Sequence, residues 1–205
     1  MPILLDGKPF AVDAGAGDSL RDVIDRVRSR QPTERLIVSV AINGREIPET
    51  ELPAAMQNCV NEADRIELAS GALRDVAGEA LRSVAAELRR AGAAQANVAA
   101  ELQAGRVQEG LRRVGQDVAL WQSCRQAIVD ASELLGRDLL AERIDGQPVS
   151  ALMDDLVGRL TELRDTFQAN DLITLADLVA HEWPPVYERW AEAFDAIADA
   201  LDRGD

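Results

Sequence analysis

The sequence predicts an α+β protein in which a small β-containing module precedes an all-helical domain. Up to about residue 70, short runs rich in Val, Ile and Leu alternate with Asp-Gly and Asn-Gly turns and one helical stripe. From Ala72 onward, apolar residues recur at helical spacing with only brief interruptions. We therefore place a domain boundary at Gly71, with one module at residues 1–70 and the second at residues 72–205.

The composition indicates a folded, acidic protein. Of 205 residues, 47% are hydrophobic but only 3% are aromatic, so aliphatic side chains must make most of the core. The net charge of −14 argues against nucleic acid as a partner, because phosphates are bound through Lys and Arg. It also disfavours anionic membrane surfaces. Solubility or a basic protein partner is the interpretation that this charge leaves.

The location is predicted from the N-terminus, the apolar runs and the two cysteines. The first residues lack the basic and long apolar regions of a signal peptide, and no run approaches the roughly 20 apolar residues of a membrane-spanning helix. Cys59 and Cys124 lie in different modules without metal-ligand spacing, which is typical of reduced thiols. We expect a cytoplasmic protein without membrane insertion.

The first module begins with a hairpin and a helix. Ile3–Leu5 predicts a strand, Asp6-Gly7 a tight turn, and residues 10–12 the returning strand. Asp18 or Ser19 can cap the following helix. That helix carries one apolar stripe at positions i, i+3, i+4 and i+7 and ends before a proline: Leu20, Val23, Ile24, Val27 and then Pro32.

The rest of the module predicts a second hairpin and a final strand. Residues 36–42 favour a strand with one apolar face formed by Leu36, Val38, Val40 and Ile42. Asn43-Gly44 is a strong hairpin signal, and Glu46-Ile47 begins the partner strand. A short helix over residues 51–57 then leads to a last strand over residues 65–69.

This order of elements, β-β-α-β-β-β with a short helix before the last strand, resembles the β-grasp fold of ubiquitin-like and sulfur-carrier proteins. The resemblance covers residues 1 to about 70 and depends on the element order and the two turns. Carriers and modifiers of that family act through a free Gly-Gly carboxylate. Here the last strand runs into Ala69-Ser70-Gly71-Ala72, and residues 202–205 also lack the glycine pair. The resemblance therefore implies a binding surface rather than carrier chemistry.

The second module predicts an antiparallel helical bundle. One long helix ends at Gly105, and a second runs from Val107 toward Leu135-Gly136. Leu111 on the second helix and Leu160 on the third are predicted core residues. Gly92 in the first helix indicates either a bend or a close crossing.

Three further helices follow a polar connection. Asp145-Gly146 predicts a turn, Pro148 suits the start of the third helix, and Asn170-Asp171 opens a fourth. Pro184-Pro185 must break or kink that fourth helix, because an interior proline lacks the donor and clashes with the preceding turn. A last helix then covers residues 186–201.

The two helical hairpins are candidates for an internal duplication at an offset of 65 residues. Residues 102–107 align with residues 167–172, and apolar positions on both sides follow the same offset. The alternative is chance similarity between Ala- and Leu-rich helices. Either origin favours a bundle, because one helical hairpin cannot bury its own apolar face.

The sequence offers no constellation of residues for catalysis, a cofactor or a metal. His181 is the only histidine, with no Ser or Cys nucleophile placed beside it. The acidic residues Asp154, Asp155, Glu162 and Asp165 are typical of a solvated helix face. The Glu-x-x-His motif of di-iron bundles and the glycine-rich phosphate loops are both missing. The protein is therefore predicted not to be an enzyme.

The most distinctive local cluster is Trp183, Tyr187 and Trp190 around the proline pair. Two interpretations stay open: aromatic side chains packed into the end of the bundle, or a docking surface for a partner, since Trp and Tyr are favoured interface anchors. Exposure of the two indoles decides between them.

The functional hypothesis is a non-enzymatic interaction protein, an adaptor or assembly factor that uses the β-grasp surface and the helical bundle. One alternative is an acidic chaperone for an export or filament-forming client. The other is an enzyme of unrecognised type. The expected partner is a protein, either a different chain or a second copy of this one.

Overall fold

The structure is a computed structural model that describes residues 1–15, 17–61, 63–144 and 146–204. It divides into two compact units, Met1–Leu73 and Arg74–Asp205. The first contains a five-stranded mixed sheet and the second is built from helices. The predicted α+β class is confirmed.

The first unit is a sheet with one long helix. Its elements are β1 (Ile3–Leu5), β2 (Lys8–Pro9), α1 (Leu20–Arg30), β3 (Arg35–Ile42), β4 (Arg45–Glu46), α2 (Leu52–Ala55) and β5 (Ile66–Ala72). The strand order is β2-β1-β5-β3-β4, and β1 pairs with β5 in parallel. Ser19 caps α1 in a capping box with Asp22, so the helix begins where the sequence predicts.

Both predicted hairpin turns are confirmed. Asp6 and Gly7 have φ values of 50° and 75°, and Asn43 and Gly44 have values of 55° and 79°. Positive φ at both central residues is the geometry that Asp-Gly and Asn-Gly favour. The prediction of a strand at residues 10–12 is wrong, because a two-residue turn places Lys8 directly opposite Leu5. Phe10 and Val12 instead pack against the core from outside the sheet.

A β-bulge in β3 changes which side chains face the core. Ile37 pairs with Ser70 and Ser39 with Ala69, so Val38 is left without a partner in β5. The bulge reverses the alternation of side chains before it. Ile37 therefore joins Val40 and Ile42 against the core, while Val38 is 52% exposed. The single face predicted for this strand is wrong in its first half.

The second unit contains three long helices and a composite fourth. They are α3 (Leu73–Gln103), α4 (Val107–Leu135), α5 (Val149–Gln168), and α6 (Leu172–Asp177) continuing through a π-helical turn (Leu178–Glu182) into α7 (Trp183–Arg203). A small hairpin of β6 (Arg143–Ile144) and β7 (Gln147–Pro148) precedes α5. Of the turn predicted there, Asp145 lies outside the described residues and Gly146 has φ 81°.

The turns that join α3 to α4 and α5 to α6 have the same geometry, 65 residues apart. Gly105 and Asn170 both adopt left-handed backbone, with φ of 75° and 56°. The N–H of Arg106 donates to the carbonyl of Glu101, and the N–H of Asp171 donates to that of Thr166. These bonds close each helix in the same way, so the predicted offset holds for the backbone of both turns.

The proline pair does not interrupt the last helical segment as predicted. Pro184 and Pro185 lie in the first turn of α7, directly after the π-helical turn. The N–H of Trp183 reaches back five residues to the carbonyl of Leu178. The wider π turn accommodates the missing donors and the pyrrolidine rings, which an α-helical turn cannot. The helical segment therefore continues without a break from α6 through the π turn into α7. The last helix, α7, begins at Trp183 rather than at residue 186.

The core of the helical unit is aliphatic with a group of aromatic rings. Leu81, Leu88, Ile128, Leu175 and Phe194 are fully buried. Gly92 marks a close crossing, because a Cβ built there would lie 2.8 Å from the Cβ of Tyr187. Leu111 and Leu160, predicted as core residues, are only partly buried and pack against the core from its edge.

Candidate functional site

The three aromatic residues singled out in the sequence are buried. Trp183 is 5% exposed, Tyr187 1% and Trp190 3%, and all three belong to the core of the helical unit. All three lie near the start of α7, directly after the π-helical turn. Neither indole is exposed, so of the two interpretations left open by the sequence the structure agrees with packing into the bundle and not with a docking surface at these residues.

Trp121 of α4 is the centre of the aromatic group. Its ring centroid lies 4.9 Å from that of Tyr187, 6.0 Å from that of Trp183 and 6.2 Å from that of Trp190. The indole of Trp121 is buried, and its N–H lies against the hydroxyl of Tyr187, with which it interacts at a geometry looser than an ideal hydrogen bond.

A polar network adjoins this indole. The amide nitrogen of Gln95, on α3, donates to a carboxylate oxygen of Asp117 at 3.0 Å and to the carbonyl of Ala91 at 3.0 Å. The hydroxyl of Tyr187 also interacts with the Asp117 carboxylate. Burial raises the pKa of Asp117 above its ordinary value, while the hydrogen bonds from Gln95 and Tyr187 oppose the rise.

An apolar groove lies between α4 and α5, and we call it the α4–α5 groove. Its volume is about 330 Å³. It is lined by Leu111, Val114, Gly115, Val118, Leu160, Leu163, Arg164 and Phe167. Phe167 is 49% exposed and Val118 37%. Large apolar side chains exposed along a groove are typical of a surface that binds a partner.

A small cavity of about 10 Å³ continues the groove inward, and we call it the polar floor. Val114, Val118, Leu160 and Leu163 line both spaces. The remaining lining residues of the cavity are Gln95, Asp117, Trp121, Trp183 and Tyr187. The groove therefore has apolar walls and, at its inner end, a network of Gln95, Asp117 and the Tyr187 hydroxyl, which also interacts with the Trp121 indole.

The sequence contained a signal for this floor that periodicity analysis passed over. Asp117 lies three residues after Val114 and four before Trp121, so a carboxylate interrupts an otherwise apolar helical stripe. Gln95 interrupts the stripe of α3 in the same manner, three residues before Val98. Polar residues on a core-facing stripe must find partners when they are buried.

A second groove lies in the first unit. It has a volume of about 520 Å³ and runs along β3, between α1 and the segment after β4. The exposed Val38 lines it. β4 pairs only with Ala41 and Ile42, so within the described residues the earlier part of β3 has no strand on that edge. Unpaired strand edges can accept an additional strand from a partner.

The remaining reactive side chains, two cysteines and a histidine, do not line either groove. Cys59 is exposed, while Cys124 is buried, and burial raises the pKa of its thiol to about 12. His181 is exposed in the π turn. Within the described parts of the chain, no three potential metal ligands come together. No helix in those parts is both long and apolar enough to cross a membrane.

Comparison with protein families gives one match, to the family described as a domain of unknown function (DUF8042), over residues 79–193. The match covers more than half of the chain. The chain belongs to the DUF8042 family. No curated protein and no solved structure matches it. The DUF8042 segment contains every lining residue of the α4–α5 groove and of the polar floor, whereas the sheet of the first unit lies outside it.

Proposed function

We propose that this DUF8042 protein is a non-enzymatic interaction module, an adaptor or assembly factor, whose helical unit binds an apolar helix of a partner protein in the α4–α5 groove. The observation that carries the proposal is the exposure of Phe167 and Val118 along an apolar space of about 330 Å³. A partner helix commonly binds with its apolar face in a groove between two helices.

Charge supports a basic partner. The chain carries a net charge of −14, so a helix with Lys or Arg beside its apolar face is attracted over longer distances than a neutral one. Arg164 is the one charged residue that lines the groove in the described structure. Apolar contacts therefore supply most of the affinity, and the surrounding acidic surface favours association with basic partners.

We further propose that the first unit is a β-grasp domain with a docking surface of its own. The parallel pairing of β1 with β5 and the strand order support this assignment. The open edge of β3 and the groove beside it suit an extended peptide. Two docking surfaces on two units are the basis for preferring an adaptor.

An acidic chaperone is the second candidate, favoured by the same groove and the same charge. The two differ in the number of partners: a chaperone co-purifies with one client, an adaptor with two or more. An enzyme is less favoured, because among the residues that line the α4–α5 groove only Arg164 is charged and none is a nucleophile or a general base. The proposed location is the cytoplasm.

The test is a quantitative pull-down from the native organism with a matched pair of variants. Phe167→Asp places a charge in the groove, while Ile173→Asp places one at a 78% exposed residue that does not line it. We expect a protein captured by the wild type and by Ile173→Asp to be lost with Phe167→Asp. Equal capture by both variants would exclude the groove as the binding site.

The two units are proposed to fold independently. Residues 1–73 and 74–205 should each give a cooperative unfolding transition when expressed alone. If either fragment is unfolded, the chain is one cooperative domain and the boundary predicted near Gly71 is wrong.

A further inference from the structure

A further pocket of the helical unit lies beside the end of α7, and we call it the arginine pocket. Its volume is about 190 Å³, and it lies between the segment after α4 and the last two turns of α7. Arg137, Arg143 and Arg203 line it. In a chain with a net charge of −14, three guanidinium groups around one small space make the local charge opposite to that of the whole protein.

Interactions within the protein hold the arginines in place. The Nε–H of Arg137 donates to a carboxylate oxygen of Glu142 at 2.7 Å, and a terminal N–H of Arg143 donates to the carbonyl of Gly146 at 2.8 Å. Arg203 also interacts within the protein. Side chains that are ordered before a ligand arrives lose less entropy on binding. A guanidinium has five N–H donors, so an arginine that already has a partner can still donate to a ligand.

The acidic residues in the last two turns of α7 are bound elsewhere. Asp199 and Asp202 pair with Arg82 of α3, at 3.1 and 2.5 Å, and neither lines the pocket. Among the lining residues that the structure describes, Glu142 is the one acid. The arginine pocket therefore keeps an excess of positive charge, which favours a ligand that carries negative charge.

The buried residues that line the arginine pocket are apolar. Leu139, Ile197 and Leu201 are buried and Ile144 is half-buried. A ligand that fits must therefore combine an apolar body with an anionic group. Since each water molecule takes about 30 Å³ in the liquid, the pocket has room for a ligand of roughly six to eight non-hydrogen atoms.

We propose that the arginine pocket binds a small monocarboxylate, with its apolar body against Leu139 and Ile197 and its carboxylate between the arginines. A carboxylate is flat and pairs with a guanidinium through two parallel hydrogen bonds. A phosphate ester carries nearly two negative charges, and Glu142 in the lining opposes the second. The pocket shares no lining residue with the α4–α5 groove, so this inference goes beyond the proposed function and does not depend on it.

The test is an NMR titration of the full-length protein with isocaproate, its neutral amide isocaproamide, and acetate. We expect isocaproate to bind about tenfold more tightly than the amide, because hydrogen bonds to charged groups are stronger than neutral ones. It should also bind more tightly than acetate, which lacks the apolar body. The methyl resonances of Leu139, Ile144 and Ile197 should shift. No binding of isocaproate, or equal affinity for it and either of the other two compounds, would overturn the inference.

Two further probes identify the source of the carboxylate and test the choice of anion. A free acid and the C-terminus of a peptide that ends in leucine present the same chemistry. N-Acetyl-leucine mimics the peptide, so tighter binding of this compound than of isocaproate indicates a peptide, and the reverse indicates a free acid. Isopentyl phosphate carries a similar apolar body on a phosphate. If it binds more tightly than isocaproate, the assignment of a carboxylate is wrong.

Three variants assign the binding to the arginines. Arg143→Gln and Arg203→Gln each remove one guanidinium and should weaken isocaproate binding by about tenfold, with circular dichroism to check that both variants fold. Arg125→Gln is the matched control, since Arg125 is exposed on α4, does not line the pocket and changes the net charge equally. It should leave the affinity unchanged. Unchanged affinity in both pocket variants, or an equal loss in the control, would contradict the proposal.

Discussion

The two helical hairpins share one turn geometry but use it differently. In the first, Leu102 at the end of α3 is 3% exposed, whereas its counterpart Phe167 at the end of α5 is 49% exposed. Past the turn, the first hairpin exposes the polar Gln108 and the second exposes Ile173, at 78%. The first turn closes the core, and the second presents apolar surface.

A glycine explains part of this difference. Gly110 allows Leu102 to lie against α4, since a Cβ built on Gly110 would come within 2.5 Å of a methyl carbon of Leu102. The position 65 residues later is Leu175, so the second hairpin lacks the space that glycine provides. Equal backbone geometry therefore does not imply equal burial, and the departure from the shared pattern coincides with the surface that we propose for binding.

The largest expected change in the free energy of unfolding comes from a proline placed in the helix that follows the first turn. Ala119 is the counterpart of Pro184 but lies inside the uninterrupted α-helix α4. Ala119→Pro should lower the free energy of unfolding by about 3 kcal/mol or more, because α4 has no π turn to accommodate the ring. Chemical denaturation measures the effect, with Ala119→Ser as the control at the same exposed position. A small loss would mean that the π turn is not needed for proline in this bundle.

The next effect tests the buried end of the first turn. Leu102→Ala should lower the free energy of unfolding by about 2–5 kcal/mol, because it removes a buried side chain and leaves a cavity beside Gly110. The same denaturation experiment checks it. A loss under about 1 kcal/mol would show that Leu102 is not part of the core and would remove the contrast between the turns.

Phe167, the counterpart of Leu102 in the second turn, should contribute little to the free energy of unfolding. Phe167→Ala should change the free energy of unfolding by less than about 1 kcal/mol, since half of the ring is already exposed to water. The same variant should still weaken partner capture in the pull-down. A stability loss as large as that of Leu102→Ala would identify Phe167 as a structural residue.

The smallest effect concerns pH. Because the pKa of Asp117 is raised in the folded protein, the folded state holds its proton to higher pH than the unfolded chain does. The free energy of unfolding of the wild type should therefore fall relative to that of Asp117→Asn as pH rises from the ordinary value of 3.8 through the raised pKa. Arg113 and Tyr187 face the carboxylate and are unchanged in both proteins. A difference that does not vary over pH 3–7 would contradict the raised pKa.

Periodicity and turn chemistry predicted most of the fold. The turns at Asp6-Gly7 and Asn43-Gly44 and the capped start of α1 were all predictable, because local backbone preferences decide them. The bulge at Val38 was not, because it depends on pairing with β5 and leaves no local signal. The π turn was not predictable either. The proline pair indicates that a regular α-helix cannot continue, but it does not indicate which backbone geometry replaces it.

The candidate site was less predictable than the fold. The aromatic residues near the proline pair are prominent in the sequence, yet packing around Trp121 buries them. The groove depends on how far apart α4 and α5 lie, a distance that no single helix encodes. In the sequence, only Gln95 and Asp117, polar residues on apolar stripes, could have indicated the polar floor.

The two cysteines have a practical consequence for the relation between the units. Cys59 is exposed, whereas Cys124 is buried and its thiol pKa is raised to about 12. We therefore expect a maleimide to label Cys59 selectively. All three tryptophans lie in the helical unit, and Cys59 lies in the first. An acceptor dye on the natural Cys59 therefore reports energy transfer from the indoles of the other unit, so the spacing of the two units can be followed in solution without a single mutation.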